Sequence, residues 1–177
     1  PTGDMPVILA AGTAGVLLHE GLGHCFEADL VGDSAFAGQM GSKVAEPFVT
    51  VVDQATIPRE RGALNYDDEG NAAGRTVMVE NGILKSYLHD QISAKQYDLS
   101  PTGSGRRQSY KYAPMPRMTC TFMEDGPHTK EEIIGAPIQM IFAEPADRQK
   151  AIDQLEQGDH VVKYRSNFAT KEGDLQK

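Results

Sequence analysis

The chain has 177 residues, of which 40% are hydrophobic and 24% are charged, and its formal net charge is −8. This length supports one folded domain, or one domain with a short appendage, and the composition is that of an ordinary globular protein. The acidic balance argues against binding to nucleic-acid phosphates, and no apolar stretch reaches the ~20 residues that would cross a bilayer.

The first half of the chain predicts one helix between short strands. Residues 7–10 form an apolar run typical of a buried strand. Residues 14–29 carry an apolar stripe that predicts a helix. A loop rich in glycine and serine is predicted at 32–42, followed by a strand at 48–52 and a weaker strand at 63–66.

A hairpin at residues 76–88 has the clearest pattern in the sequence. Asn81 and Gly82 separate two apolar runs, and both residues tolerate the positive φ of a type I′ turn. A short helix is predicted at 90–97, and a long loop rich in glycine, proline and arginine at 100–116.

The last third adds a strand at 118–123 and a helix that begins at a capping box formed by Thr129 and Glu132. A strand at 138–142 and a helix at 146–155 follow. The sum is an α+β fold with a mostly antiparallel sheet, a central metal-binding helix at about residues 14–29 and a few short helices.

The segment from His19 to His24 has the residue types of a zinc peptidase site. In the common motif two histidines four residues apart bind the ion, and a glutamate beside the first acts as general base. Here the spacing is five residues, which in an ideal α-helix turns the second ring ~140° away from the first. A π-bulge would return both rings to one face, and Gly21 and Gly23 tolerate that distortion.

The chemistry of such a site assigns a role to each residue. Two neutral imidazoles and one further ligand hold Zn²⁺ with an open position for water. The ion lowers the pKa of that water and polarises the scissile carbonyl, while a carboxylate takes the proton. We therefore interpret His19 and His24 as zinc ligands and Glu20 as the catalytic base. The alternative is two unrelated helix histidines that bind no metal.

The run from Leu17 to His24, followed by Glu27 and Asp29, resembles the signature of the TldD/PmbA peptidases. Six further segments resemble the same family in the same order: 36–41, 51–53, 67–70, 80–85, 101–107 and 114–118. The resemblance covers roughly residues 5–135. It divides the chain into a metallopeptidase core at 1–140 and a divergent C-terminal helix and tail at 141–177.

The resemblance implies a zinc metallopeptidase of the catalytic TldD type that cleaves peptides or unfolded segments. It also implies a homodimer, or a heterodimer with a metal-free paralogue. The family's N-terminal domain and its late C-terminal segment, which supplies a cysteine ligand, have no counterpart here, and the chain begins without Met. We therefore also consider a truncated or degenerate member that binds a peptide or a partner without turnover.

Three residues are candidates for a third ligand or a supporting role at the metal. Glu27 lies three residues after His24, on a neighbouring helical face. Cys120 lies in a predicted strand that the fold could bring close, and Cys25 follows His24 directly. Two cysteines do not make a disulfide framework, and no segment resembles a secretory signal, so we expect reduced thiols and a cytoplasmic location.

A segment at 101–107 and three isolated histidines complete the candidates. The segment lacks the Gly-Lys-Ser/Thr ending of a phosphate-binding loop. By resemblance it is a substrate-facing loop; the alternative is a solvated loop. Its candidate substrate-binding residues are Thr102, Gly103, Gly105, Arg106 and Arg107. His89, His128 and His160 stand alone and are interpreted as surface histidines.

Overall fold

The computed structural model describes residues 12–127. Residues 12–124 belong to one compact unit. The elements are helix α1 (Thr13–Gly21), two 3₁₀ turns (Gly23–Phe26 and Val31–Asp33), strand β1 (Val51–Gln54), strand β2 (Arg75–Glu80), strand β3 (Ile83–Leu84), helix α2 (Gln91–Gln96), strand β4 (Gly105–Arg106), strand β5 (Met115–Pro116) and strand β6 (Thr121–Met123). The elements predicted at 7–10, 129–134, 138–142 and 146–155 lie outside the described residues, as do His128 and His160.

An antiparallel sheet with the strand order β3-β2-β1-β6 organises this unit. Val52 of β1 pairs with Val77 on one side and Phe122 on the other. Strands β4 and β5 form a second, two-stranded antiparallel sheet. These sheets and the few short helices confirm the α+β prediction. Within residues 12–127, no helix is long and apolar enough to cross a membrane.

The hairpin between β2 and β3 has the predicted turn. Asn81 has φ +49° and Gly82 has φ +79°, as a type I′ turn requires. The backbone N–H of Gly82 donates to Val49 O at 2.9 Å, and its carbonyl accepts from Val44 and Ala45. The turn therefore also anchors the chain that enters β1.

The hydrophobic core fixes the segment that follows α1. Phe26 is 1% exposed and stacks on Phe36, with the ring centroids 4.6 Å apart. The backbone N–H of Leu88 donates to Phe26 O at 2.8 Å, and Ala28 N–H donates to Leu88 O at 3.0 Å. Residues 26–28 are thus held to the chain that leaves the hairpin.

Several predicted bounds differ from the structure. The predicted helix at 14–29 is not confirmed as one helix, because α1 ends at Gly21 and Leu22 leaves helical geometry at φ −127°. Its apolar stripe is also exposed, with Val16 at 62% and Leu17 at 56%. The strand predicted at 48–52 begins at Val51.

The weaker strand predicted at 63–66 is wrong, because only an isolated bridge joins Tyr66 to Ala72. The loop predicted at 100–116 contains β4 and β5. The strand predicted at 118–123 is β6, which begins at Thr121 rather than at 118. Just before it, the N–H and the hydroxyl of Thr119 donate to the buried carboxylate of Asp53, at 2.8 and 2.7 Å. At Thr119, hydrogen bonds to the side chain of Asp53 therefore replace the backbone pairing of a strand.

Helix α2 confirms the short helix predicted at 90–97 and buries a histidine beside it. Asp90 accepts from the N–H of Ser93 at 2.7 Å, and the Ser93 hydroxyl completes a capping box. His89 is 1% exposed, so its interpretation as a surface histidine is wrong. Its Nδ1 lies 3.2 Å from the Ser93 hydroxyl. Burial lowers the pKa of His89, and the charge of Asp90 opposes that shift.

We expect Gly82→Ala to destabilise the fold by about 2–4 kcal/mol, because a Cβ adds left-handed strain and overpacking. That Cβ would lie 2.5 Å from Ala45 O and 2.7 Å from Glu46 O. Gly70 is a matched control, since its φ is +82° but nothing lies within 4 Å of a Cβ there. Gly70→Ala should therefore lose only about 1–2 kcal/mol in urea unfolding. Equal losses would contradict the close approach at Gly82.

We expect His89 to make the folded state less stable in acid. Its folded pKa is below the unfolded value of 6.5, so its contribution is complete above pH 6.5 and is lost as pH falls through the lowered pKa. The slope from one such group is at most about 1.4 kcal/mol per pH unit. His89→Asn should flatten the fall in unfolding free energy between pH 7 and 5, measured with chelator present. Parallel profiles for both proteins would show that His89 does not titrate differently on unfolding.

Candidate metal centre

The end of α1 places three potential ligand side chains together. His19 and Glu20 lie in the last turn of α1, and His24 lies in the 3₁₀ turn that follows. The two imidazole rings are 4.7 Å apart between centroids, with an angle of 82° between their planes. One ligand-capable atom from each of His19, Glu20 and His24 lies within 4.8 Å of the others. The rings therefore approach each other as the sequence predicts.

The backbone conformation that brings the two imidazole rings together is different from the predicted one. There is no π-bulge in residues 13–26; α1 stops, and the chain re-forms as a 3₁₀ turn after Leu22. The N–H of Leu22 still donates to Leu18 O at 3.1 Å. Because glycine is a poor helix former, Gly21 and Gly23 favour this early end.

Gly23 has a packing role in addition to its conformational one. It is buried, and a Cβ at this position would lie 2.1 Å from Met118 Sδ and 2.9 Å from Met118 Cε. Met118 is itself 4% exposed, so its side chain has little room to move away. Glycine at 23 therefore allows the chain around Met118 to lie directly against the turn that carries His24.

A buried carboxylate contacts His24 on the side away from Glu20. Glu27 is 0% exposed, and its Oε2 lies 2.8 Å from His24 Nδ1. The same carboxylate accepts from Arg117 Nη1 at 3.1 Å and from the N–H of Met118 at 3.3 Å. With Nδ1 engaged, His24 has Nε2 free on the other side of the ring, 3.9 Å from Glu20 Oε2.

The group of three is accessible to solvent. The side chain of Glu20 is 67% exposed and that of His24 is 36% exposed. The two imidazole nitrogens are donors that suit Zn²⁺, and the carboxylate beside them can accept a proton from a bound water. The exposed side leaves room for a water molecule and a substrate. This donor set therefore fits a catalytic type of metal site, which keeps an open position.

Neither cysteine joins this group within residues 12–127. Cys25 Sγ lies 3.9 Å from Gly21 O, against the backbone of α1. Burial raises the pKa of the Cys120 thiol, and the charges of Asp53 and Glu60 raise it further. A raised pKa disfavours the thiolate, which is the form that binds metals.

The loop at 101–107 uses many of its polar groups within the chain. The hydroxyl of Thr102 accepts from His89 N–H at 2.8 Å. The N–H of Gly105 donates to Asp67 Oδ2 at 3.0 Å, and the N–H of Arg107 donates to Asp68 Oδ2 at 2.8 Å.

Two other candidates in this loop are also engaged. Gly103 has φ +72°, and a Cβ there would lie 2.4 Å from Ala72 O. The guanidinium of Arg106 donates to Met118 O at 2.6 Å, which ties this loop to the segment beside the histidines. A contact of these residues with substrate stays a prediction.

Sequence reasoning missed the role of Arg117 at this site. Arg117 belongs to a segment matched to the family, but no spacing rule connects it to Glu27, 90 positions earlier. The sequence offers two weaker indications: Glu27 lies three residues after His24, on a neighbouring helical face, and a carboxylate that becomes buried needs donors.

Several known proteins are similar to this chain in sequence. Over 145 residues it is 44% identical to a protein named Metalloprotease TldD homolog from Haemophilus influenzae, covering 81% of this chain and 30% of that protein. It is 32% identical over 132 residues to a Zinc metalloprotease TldD homolog from Saccharolobus solfataricus, covering 74% of this chain and 30% of that protein. The chain thus spans about a third of the length of these relatives.

A solved structure agrees with these relatives. TldE from Thermococcus kodakarensis superposes with a TM-score of 0.57 at 28% identity, covering 64% of this chain and 26% of that chain. The family model described as PmbA/TldA metallopeptidase C-terminal domain matches residues 2–177, a wider span than the motifs at 5–135. The chain therefore belongs to the PmbA/TldA (TldD/PmbA) metallopeptidase family, in the region of its C-terminal domain.

Proposed function

We propose that this chain carries the metal-binding catalytic segment of a zinc-dependent peptidase that cleaves peptides or unfolded segments. The observation that supports the proposal most directly is the approach of His19, Glu20 and His24 at a solvent-accessible position. The names of the relatives agree with it, since they are called metalloproteases and one is called a zinc metalloprotease.

In this proposal His19 and His24 hold the ion and Glu20 moves the proton. Bound zinc supplies an acidified water and a polarised carbonyl. The exposed carboxylate of Glu20 accepts the proton of the attacking water and passes it to the leaving amine. Its Oε2 lies near His24 Nε2 without contacting it, at 3.9 Å, which leaves it free for this transfer.

A third protein ligand completes the proposed site. Glu27 is buried and already accepts from three donors, and both thiols lie outside the group of three. Within residues 12–127 these contacts therefore do not favour direct coordination of the ion by Glu27, Cys25 or Cys120.

The proposal extends to partners and location. A peptide or unfolded protein is the substrate, the protein acts as a homodimer or as a heterodimer with a metal-free paralogue, and it is cytoplasmic. The alternative function is a binding module that keeps the fold and binds a peptide or partner without turnover. The two functions differ in one observable, cleavage of an unfolded protein by zinc-loaded chain.

We expect Glu20→Gln to lower the rate of cleavage of unfolded casein about 10²–10⁴-fold, as loss of a general base does. The variant should keep its zinc, measured by metal analysis after desalting. His24→Ala should lose both zinc and cleavage. Glu80→Gln is the control, because Glu80 is an exposed carboxylate of the β2–β3 hairpin.

Each other outcome has a definite meaning. Zinc lost from Glu20→Gln would make Glu20 a ligand and remove its role as base. Zinc bound by the unsubstituted chain without any cleavage would favour the binding module. Zinc retained by His24→Ala would contradict the metal centre.

A further inference from the structure

The buried carboxylate of Glu27 joins the histidine turn to a distant segment. It accepts from His24, and also from Arg117 and Met118, which lie 90 and 91 positions later. The guanidinium of Arg117 and the backbone amide of Met118 can only donate. Carboxylate oxygens without a proton can only accept, so a hydrogen on Nδ1 of His24 would satisfy the third contact, at 2.8 Å.

The contact with Glu27 determines which nitrogen of His24 is available. In a neutral imidazole one nitrogen carries the proton and the other has a free lone pair. With the proton on Nδ1, the lone pair is on Nε2. That nitrogen points toward Glu20, where the rings of His19 and His24 approach each other.

Arg117 compensates the charge of Glu27 and is itself held on several sides. Its Nη1 lies 3.3 Å from Asp29 Oδ2 and donates to Pro116 O at 2.6 Å. Its backbone N–H donates to Ser104 O at 2.9 Å, next to the pairing of β4 with β5. A buried carboxylate without such a partner would be costly, so Arg117 allows an ionised group to stay beside His24.

We propose that Glu27 and Arg117 form a positioning pair that holds the His24 ring with Nδ1 protonated and Nε2 directed at the metal. Neither residue touches the ion or the substrate; both act through His24. The proposal rests on the metal centre proposed above. Carboxylates that accept from the second nitrogen of a metal-binding histidine fix its tautomer and orientation, which supports this role.

The first test measures the tautomer of His24 in the metal-free full chain, and it needs no variant. Long-range ¹H–¹⁵N NMR at about pH 8, above the usual imidazole pKa, distinguishes the two ring nitrogens. We expect the proton on Nδ1. A proton on Nε2 would overturn the proposal, whatever the zinc content of the protein.

The second test measures zinc affinity by competition with a chelator. In Glu27→Gln the amide group replaces one acceptor with a donor, so His24 should shift toward the Nε2-protonated tautomer. We expect zinc binding to weaken about 10–100-fold in Glu27→Gln and in Arg117→Met. Arg117→Lys, which keeps a cation beside Glu27, should lose less affinity than Arg117→Met.

Arg75→Met is the matched control, because Arg75 pairs with Glu124 across the sheet and touches neither histidine. Its zinc affinity should stay within about twofold of the unsubstituted chain, as for a distant, independent site. If folded Glu27→Gln binds zinc as tightly as Arg75→Met does, the proposed positioning pair is wrong. The proposed metal centre would not be affected by that result. An unsubstituted chain that binds no zinc would instead contradict the proposed function, and the tautomer measurement would still decide the orientation of His24.

Discussion

The buried carboxylate of Glu27 connects two segments that lie far apart in the sequence. It lies directly after the 3₁₀ turn that carries His24, and it is held by donors from the segment before β6. Because a buried charge must be matched, this contact fixes how two segments far apart in sequence lie against each other. Gly23 permits the same approach by leaving space for Met118. The geometry of the histidines is therefore a product of tertiary packing.

Much of the local structure was predictable because local chemistry determines it. The Asn81-Gly82 turn needs two positive φ angles, and this dipeptide supplies them at low cost. The short helix after Asp90 has its own capping residues. The residue types from His19 to His24 also indicated a metal site before any geometry was known. These features depend on neighbours within a few positions.

The parts of the structure that the sequence did not predict depend on contacts between residues far apart in the chain. Gly21 and Gly23 favour the end of α1, but the pairing of residues 26–28 with the chain around Leu88, which a helix through 29 would prevent, has no local signal. His89 looked like a surface residue, yet the fold buries it beside α2. Arg117 has its role because the fold places it beside Glu27, which no local pattern indicates. In each case the decisive partner is distant in sequence.

An anomalous-scattering map at the zinc absorption edge, from crystals of zinc-loaded protein, would show whether His19 and His24 bind one common ion. We expect one peak at about 2.0–2.1 Å from Nε2 of His24 and from a ring nitrogen of His19, the usual zinc–imidazole distance. Glu27 should not coordinate the peak and should remain bonded to Nδ1. A map with no peak between these rings, or with the rings directed apart, would contradict the proposed metal centre.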